Sequence, residues 1–167
     1  MEIGLLLLRV VVGALLIGHG TQKLFGWFGG YGLDGVAGWF SSIGFRPAKP
    51  MAVVAGLGEA GGGLLLLLGL LNPLAAAAVI GTLLVAASTH LPKVWATDGG
   101  LELPLVFAVV AATLGFTGPG RYSLDNALGL DLAGAGWGTA ALVAGVLGAV
   151  VVAGRARATV RSETVAA

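Results

Sequence analysis

The sequence predicts an all-α fold: a polytopic membrane four-helix bundle with a fifth, C-terminal transmembrane helix. Of its 167 residues, 57% are hydrophobic and only 10% are charged, whereas soluble domains carry roughly 25% charged residues. The mean hydropathy is +0.96. The apolar residues fall into five segments, most of them near the length of about 20 residues that crosses a bilayer. A soluble core could not bury this much apolar surface, so the lipid bilayer is the first predicted partner.

Prolines and other turn-forming residues separate the five segments. Proline lacks an amide proton and disfavours helix in the residue before it, so Pro73 and Pro92 mark the ends of the third segment. The tight Asn72–Pro73 turn predicts that the second and third segments form an antiparallel hairpin. The fourth segment is short and crosses only if the bilayer thins or its ends are counted generously. The predicted spans are 3–24, 50–71, 73–91, 103–116 and 132–153.

Two connections are predicted to carry short helices. The first has apolar residues at i, i+3, i+4 and i+7 behind Asp34, which predicts an interfacial helix near residues 34–43. In the second, residues 118–131, Ser123 is a candidate N-cap, and Arg121 precedes Asp125 by four residues on the expected helix.

Basic residues predict the orientation. With five spans, Arg121 lies alone on one side, whereas seven of the nine Lys and Arg residues lie on the other side. Because cytoplasmic loops carry an excess of Lys and Arg, the N-terminus is predicted outside and the C-terminus in the cytoplasm. The seven residues are Lys23, Arg46, Lys49, Lys93, Arg155, Arg157 and Arg161.

Charge and cysteine content exclude several classes of function. The net charge of +1, with both signs scattered along the chain, lacks the basic footprint of a protein that binds nucleic acid. The absence of cysteine removes disulfides, thiolate nucleophiles and iron–sulfur ligation. Any redox chemistry at this chain therefore needs a borrowed cofactor.

Ionisable side chains inside the spans are predicted to form a column. At about 1.5 Å of rise per residue, Arg9 lies roughly 9 Å and His19 roughly 24 Å below the start of span one. Glu59, on the antiparallel second span, falls between these two levels, and His90 is level with His19. The predicted order is Arg9, then Glu59, then His19 and His90, then a rim of Lys23, Lys93 and Glu102.

Arg9 and Glu59 are predicted to face inward, because a charge at the bilayer centre costs at least about 2.5–3.5 kcal/mol. Each is the expected partner of the other. Two interpretations stay open: a buried ion pair that fixes the register of the bundle, and a functional site. In the second, desolvation could keep Glu59 protonated and make it a proton carrier, so Glu59 is a candidate catalytic residue together with His19.

His19 and His90 are candidate residues for binding a quinone headgroup, because an imidazole can donate a hydrogen bond to a carbonyl and exchange its proton. Two interfacial histidines without a ligand explain the pattern as well. Axial ligation of haem is less favoured, and no metal site is predicted, since the other nearby groups are lysines and one glutamate. Gln22 and Lys23 follow His19 by three and four residues, so all three share one helical face.

Small residues at helical spacing predict packing surfaces. Gly58 with Gly62 forms one such pair, and small residues at this spacing allow close approach of two helices. A second stripe lies on the fifth span, and whether it faces its own bundle or another subunit of a homo-oligomer stays open. The stripe consists of Gly134, Gly138, Ala141 and Gly145.

Four motifs occur in order along the first 130 residues. They are LLLRVVVGALLIGHGTQKLFGWFGG at 6–30, GLDGVAGWFSSIGF at 32–45, AGLGEAGGGLLLLLGLL at 55–71 and GPGRYSLD at 118–125. Together they resemble the DoxX family of small bacterial membrane proteins. The resemblance implies a four-helix domain related to the quinone-reducing membrane subunit of thiosulfate:quinone oxidoreductase, a location in the bacterial inner membrane and, as in some members, soluble redox proteins as partners.

The resemblance places the family's polar positions at Arg9, His19, Gln22, Lys23 and Glu59, with Arg121 in the loop motif. These five span residues, Arg9, His19, Gln22, Lys23 and Glu59, together with His90, which the depth count adds, form a predicted set of six residues for binding a quinone. The fifth span and the Arg-rich tail depart from the family's four-helix pattern.

The predicted organisation is a DoxX-like domain at 1–130, an additional transmembrane helix at 131–154 and an Arg-containing cytoplasmic tail at 155–167. The favoured function is a membrane subunit of a quinone-linked redox system, and whether the chain itself is an enzyme stays open. The alternatives are a non-catalytic membrane scaffold for soluble redox enzymes and a small carrier or channel.

Overall fold

The computed structural model describes the backbone of residues 1–166 and the side chains of residues 1–164. Every regular element in this part is helical, so the predicted all-α fold is confirmed. The α-helices are α1 (Glu2–Phe25), α2 (Gly32–Ser42), α3 (Ala48–Leu68), α4 (Asn72–His90), α5 (Glu102–Thr117), α6 (Leu124–Ala127) and α7 (Ala135–Ala166).

Five helices correspond to the five predicted spans. In the described residues α1, α3, α4 and α7 are long and apolar enough to cross a membrane. α5 has 16 residues, which is about 24 Å of helix. The Asn72 side chain, at the start of α4, donates a 2.8 Å hydrogen bond to the Leu114 carbonyl near the end of α5. α4 and α5 are therefore antiparallel, and α1, α4 and α7 end on the same side of the bundle.

Glycines allow the backbones of α1 and α3 to pack directly against each other. A Cβ atom added at Gly13 would lie 2.9 Å from the Leu67 amide nitrogen, and one at Gly20 would lie 2.6 Å from the Gly56 carbonyl oxygen. Real Cβ atoms do not tolerate such distances, so only glycine permits this crossing. The close approach sets the register of the two helices and brings the end of α1 beside the middle of α3.

The loop after α5 closes the end of the bundle at which α3 turns into α4. The Ser123 hydroxyl accepts a hydrogen bond from the Asn126 amide, so the predicted N-cap of α6 is confirmed. Arg121 lies before this N-cap and so outside α6, contrary to the prediction that it shares the helix with Asp125. Asp125 is buried and accepts hydrogen bonds from the Leu71 and Asn72 amides at 2.7 and 2.9 Å. Asp125 therefore caps α4, where a carboxylate also opposes the positive end of the helix dipole.

α7 is longer than the predicted fifth span. It runs for 32 residues, which is about 48 Å, because the chain after residue 153 has no proline and is rich in helix-forming Ala and Arg. The predicted tail is thus a helical extension up to Ala166, and residue 167 lies outside the described residues. Ala156 is buried against Phe45, and Arg46 pairs with Glu163 at 3.3 Å.

Three residues of the predicted small-residue stripe, Gly138, Ala141 and Gly145, face their own bundle. The fourth, Gly134, lies before α7, and a Cβ atom added there would meet nothing within 4 Å. A Cβ atom at Gly138 would collide with Phe116 of α5, and one at Gly145 would lie 2.8 Å from Ile80 Cγ2 of α4. Gly58 and Gly62 likewise approach α4. The glycine patterns are helix-packing surfaces, and α7 packs mainly on α4 and α5.

Candidate functional site

A cavity of about 910 Å³ lies among α1, α2, α3, α4 and α7, toward the side where α1 and α4 end. The cavity exists partly because the α4 residues that line it have small side chains, among them Ala77, Ala78 and Gly81. Most of the lining is apolar, but ionisable and other polar side chains also face the cavity. These polar residues include His19, Gln22, Lys23, Glu59, Thr82, Thr89 and His90.

An ion pair between Lys23 and Glu59 joins α1 to α3 at this cavity. The Lys23 Nζ atom lies 2.5 Å from Glu59 Oε2, and the two side chains are 25% and 3% exposed, respectively. The pair forms because the glycine crossing places the last turns of α1 against α3, and the lysine stem spans the remaining distance. The Lys23 ammonium has three donors, so two remain beyond the one that Glu59 accepts.

The predicted partnership of Arg9 with Glu59 is wrong. Arg9 is buried, and its Nη1 atom donates a 3.1 Å hydrogen bond to the Leu67 carbonyl in the last turn of α3, where a cation is favoured by the helix dipole. Leu67 is eight residues beyond Glu59, or about 12 Å along the helix. The spans do not begin at one level, because α1 extends past the α3–α4 turn and its Glu2 side chain accepts a hydrogen bond from the Arg121 amide.

Arg9 instead belongs to the opposite end of the bundle. Gly69, in the left-handed region with φ +62°, passes so close that an added Cβ atom would collide with Arg9 Nη1 and would lie 2.6 Å from Ser123 Cβ. The Nε atom of Arg9 has no hydrogen-bond partner among the described residues. Arg9 is not among the residues that line the cavity, so the structure separates it from the other predicted site residues.

Hydrogen bonds fix the tautomer of His19. Gln22 Nε2 donates to the Phe28 carbonyl at 3.4 Å, which orients the amide so that Oε1 faces His19 Nδ1 at 3.2 Å. An amide oxygen only accepts, so Nδ1 carries a proton and Nε2 is the acceptor of the neutral ring. Gly30 lies against the Gln22 backbone with no room for a side chain, which folds the segment after α1 back over this pair.

His90 is oriented in the same way by a backbone carbonyl. Its Nδ1 atom lies 2.8 Å from the Gly99 carbonyl oxygen, so Nδ1 is the donor and Nε2 remains as the acceptor of the neutral ring. Lys93 and Glu102, which were predicted at the rim, stabilise the loop between α4 and α5 at residues 91–101. The Lys93 carbonyl accepts a hydrogen bond from the Leu101 amide at 3.1 Å, and Glu102 Oε2 accepts one from the Ala96 amide at 2.9 Å. Neither Lys93 nor Glu102 lines the cavity.

The structure thus brings five predicted binding residues to one cavity: His19, Gln22, Lys23, Glu59 and His90. Sequence reasoning missed Thr82 of α4 and the α7 residues Ala144, Gly148 and Val152, which also line it. Thr82 is the only polar side chain in the middle of the otherwise apolar α4, and this isolated polar residue could have indicated that its side chain faces a polar site. The α7 residues are small or apolar, and their position depends on how α7 packs.

Residues 4–92 match the family model of DoxX. The chain belongs to the DoxX family. The match runs from α1 to just beyond α4 and contains all six residues of the predicted binding set, so the family resemblance of the sequence is confirmed over this stretch. No curated protein and no solved structure matches the chain. With its apolar helices, this DoxX protein is a multi-pass membrane protein, in a family often associated with redox and quinone systems. Helices α5 to α7 lie beyond the matched stretch.

Proposed function

We propose that this DoxX protein is a membrane subunit of a quinone-linked redox system and that its cavity binds the quinone headgroup. The observation that carries the proposal is a mostly apolar cavity of about 910 Å³ inside a membrane bundle, with one partly buried ion pair and two oriented imidazoles on its wall. Small-molecule sites are typically mostly apolar cavities with a few converging polar groups. The residues present therefore fit a flat ring with carbonyl oxygens.

The side chains have distinct proposed roles. The remaining N–H donors of Lys23 would hold one carbonyl oxygen, and the imidazoles of His19 and His90 would exchange protons with the ring. Glu59 holds the Lys23 ammonium in place and is the nearest carboxylate that can accept a proton. A bound quinone supplies a carrier for two electrons and two protons. Because the chain has no cysteine, its electrons come from a partner redox protein and not from a thiol or iron–sulfur centre of this chain.

The orientation predicted from the sequence indicates on which side of the membrane the cavity lies. The seven basic residues counted above belong to the ends of α1, α4 and α7, the start of α3 and the adjoining loops, which is also the side where the cavity lies. The positive-inside rule places this side in the cytoplasm of a bacterial cell. A soluble redox partner would then approach from the cytoplasm.

Titration of the purified protein with ubiquinone-1 tests the headgroup site. Trp39 lines the cavity, so we expect saturable quenching of tryptophan fluorescence, and a Trp39→Phe variant identifies the part of the signal that Trp39 contributes. Lys23→Gln should weaken binding at least tenfold, because it removes the charged donor. Lys49→Gln is the matched control, since Lys49 also forms an ion pair, with Asp34 at 2.8 Å, but is exposed and outside the cavity. Absence of saturable binding, or equal affinity of the two variants, would contradict the proposal.

A further inference from the structure

The geometry points to α7 as one wall of a groove for the apolar tail of the ligand. We infer that the site selects membrane quinones with a long isoprenoid tail over tail-less quinones, and that Gly148 keeps the groove open. This inference rests on the proposed headgroup site and adds the ligand class to it. It assigns a role to a helix that lies outside the stretch matched by the family.

One face of α7 lines the cavity. Ala144 and Gly148 on this face are exposed, whereas Val152 also packs against the core cluster that contains Phe40 of α2 and Ala52 of α3. Ala144, Gly148 and Val152 are spaced by four residues, so they share a helical face, and all three line the cavity. The neighbouring Gly145 fixes α7 on α4 through its close approach to Ile80. A Cβ atom at Gly148, by contrast, would meet nothing within 4 Å. The face of α7 that contains Gly145 therefore packs tightly on α4, whereas the adjacent face, which contains Gly148, borders open space.

The opposite wall is α3, and the floor is α4. Both α3 and α7 pack extensively on α4, but within the described residues they make little direct contact with each other. Val54 of α3 lines the cavity and is 58% exposed, and Gly148 is also exposed. The cavity is thus open to the surface of the bundle between α3 and α7. Val54 and Gly148 both lie on helices that are long and apolar enough to cross a membrane, so this opening faces the lipid in the proposed arrangement.

The size and chemistry of the cavity favour a tailed ligand. Its volume of about 910 Å³ is at the upper end of the roughly 300–1,000 Å³ typical of small-molecule sites, so a single ring would leave much of it unfilled. The part beside α7 is lined by apolar or small side chains, which water hydrates poorly. It is continuous with the part that carries Glu59 and His19. A ligand with a polar ring and an apolar chain matches both parts at once.

Two ligands with the same ring test the groove: decylubiquinone, which has a ten-carbon chain, and ubiquinone-0, which has no chain. Gly148→Leu should fill the groove and weaken the binding of decylubiquinone at least tenfold, while the affinity for ubiquinone-0 should stay within twofold of wild type. Gly154→Leu is the matched control, since Gly154 is on the same helix, has no neighbour within 4 Å of its added Cβ atom and does not line the cavity. We expect it to leave both affinities unchanged. Ala144→Leu provides a second groove variant, for which we expect the same selective loss.

The remaining outcomes distinguish a failure of the tail groove from a failure of the headgroup site. If both groove variants weaken the two ligands equally, or weaken neither, or if Gly154→Leu has the same effect, the tail groove is wrong and the headgroup site stands. If Gly148→Leu lowers the amount of co-purified phospholipid but not the affinity for decylubiquinone, an acyl chain occupies the groove, and the tail assignment is wrong. If wild type binds neither quinone, the headgroup site itself is wrong.

Discussion

Replacing Lys23 by methionine should cost this protein about 3 kcal/mol of its free energy of unfolding. The change leaves the carboxylate of Glu59, which is 3% exposed, without its countercharge, and breaking a buried pair in this way typically costs about 3–5 kcal/mol. We expect the lower end of this range because Lys23 is 25% exposed and water partly screens the pair. Thermal or denaturant unfolding of the purified protein measures the loss.

A double variant separates the structural role of the pair from its role in binding. Lys23→Met combined with Glu59→Gln removes both charges, so most of the lost stability should return, while quinone binding should not. Lys49→Met is the matched surface control, because the exposed Lys49–Asp34 pair should contribute no more than about 1 kcal/mol. A single variant as stable as the double variant would show that Glu59 does not depend on Lys23.

Gly20→Ala should destabilise the bundle by about 1–3 kcal/mol, the usual cost of overpacking. The added methyl group would lie 2.6 Å from both the Gly56 carbonyl oxygen and Ala60 Cβ, and the helix backbone of α3 cannot move aside locally. α1 and α3 must then separate, which lengthens the distance between Lys23 and Glu59. We therefore expect weaker ubiquinone-1 binding together with a lower unfolding temperature.

Gly18→Ala is the matched control for this prediction. Gly18 is two residues away on α1, and its added Cβ atom would meet nothing within 4 Å. Because alanine favours helix over glycine by roughly 0.5–1 kcal/mol, this variant should be neutral or slightly stabilised. If both variants behave alike, the close α1–α3 crossing does not set the geometry of the site.

The sequence was most informative where the signal is local. Apolar segments and the prolines at 73 and 92 predicted the α3–α4 hairpin, and the i+3 and i+4 spacing predicted that His19, Gln22 and Lys23 share a face. All three line the cavity. These inferences depend on the geometry of one helix, which a sequence fixes well.

Relationships between helices could not be predicted in this way. Counting residues gives a depth along one helix, but the register between α1 and α3 depends on the glycine contacts at their crossing, which place Arg9 opposite Leu67 and not Glu59. Asp125 shows the same limit, because its partners are the amides of Leu71 and Asn72, far away along the chain. The cavity-lining face of α7 likewise follows only from its packing on α4.

Native mass spectrometry of the gently solubilised protein, with extraction and identification of its lipids, shows whether the cavity holds a quinone. We expect wild-type protein to retain about one quinone per chain, and the Lys23→Met, Glu59→Gln double variant, once shown to be folded, to retain none. A wild-type protein that carries lipid but no quinone, or a double variant that retains as much quinone as wild type, would contradict the proposed quinone site.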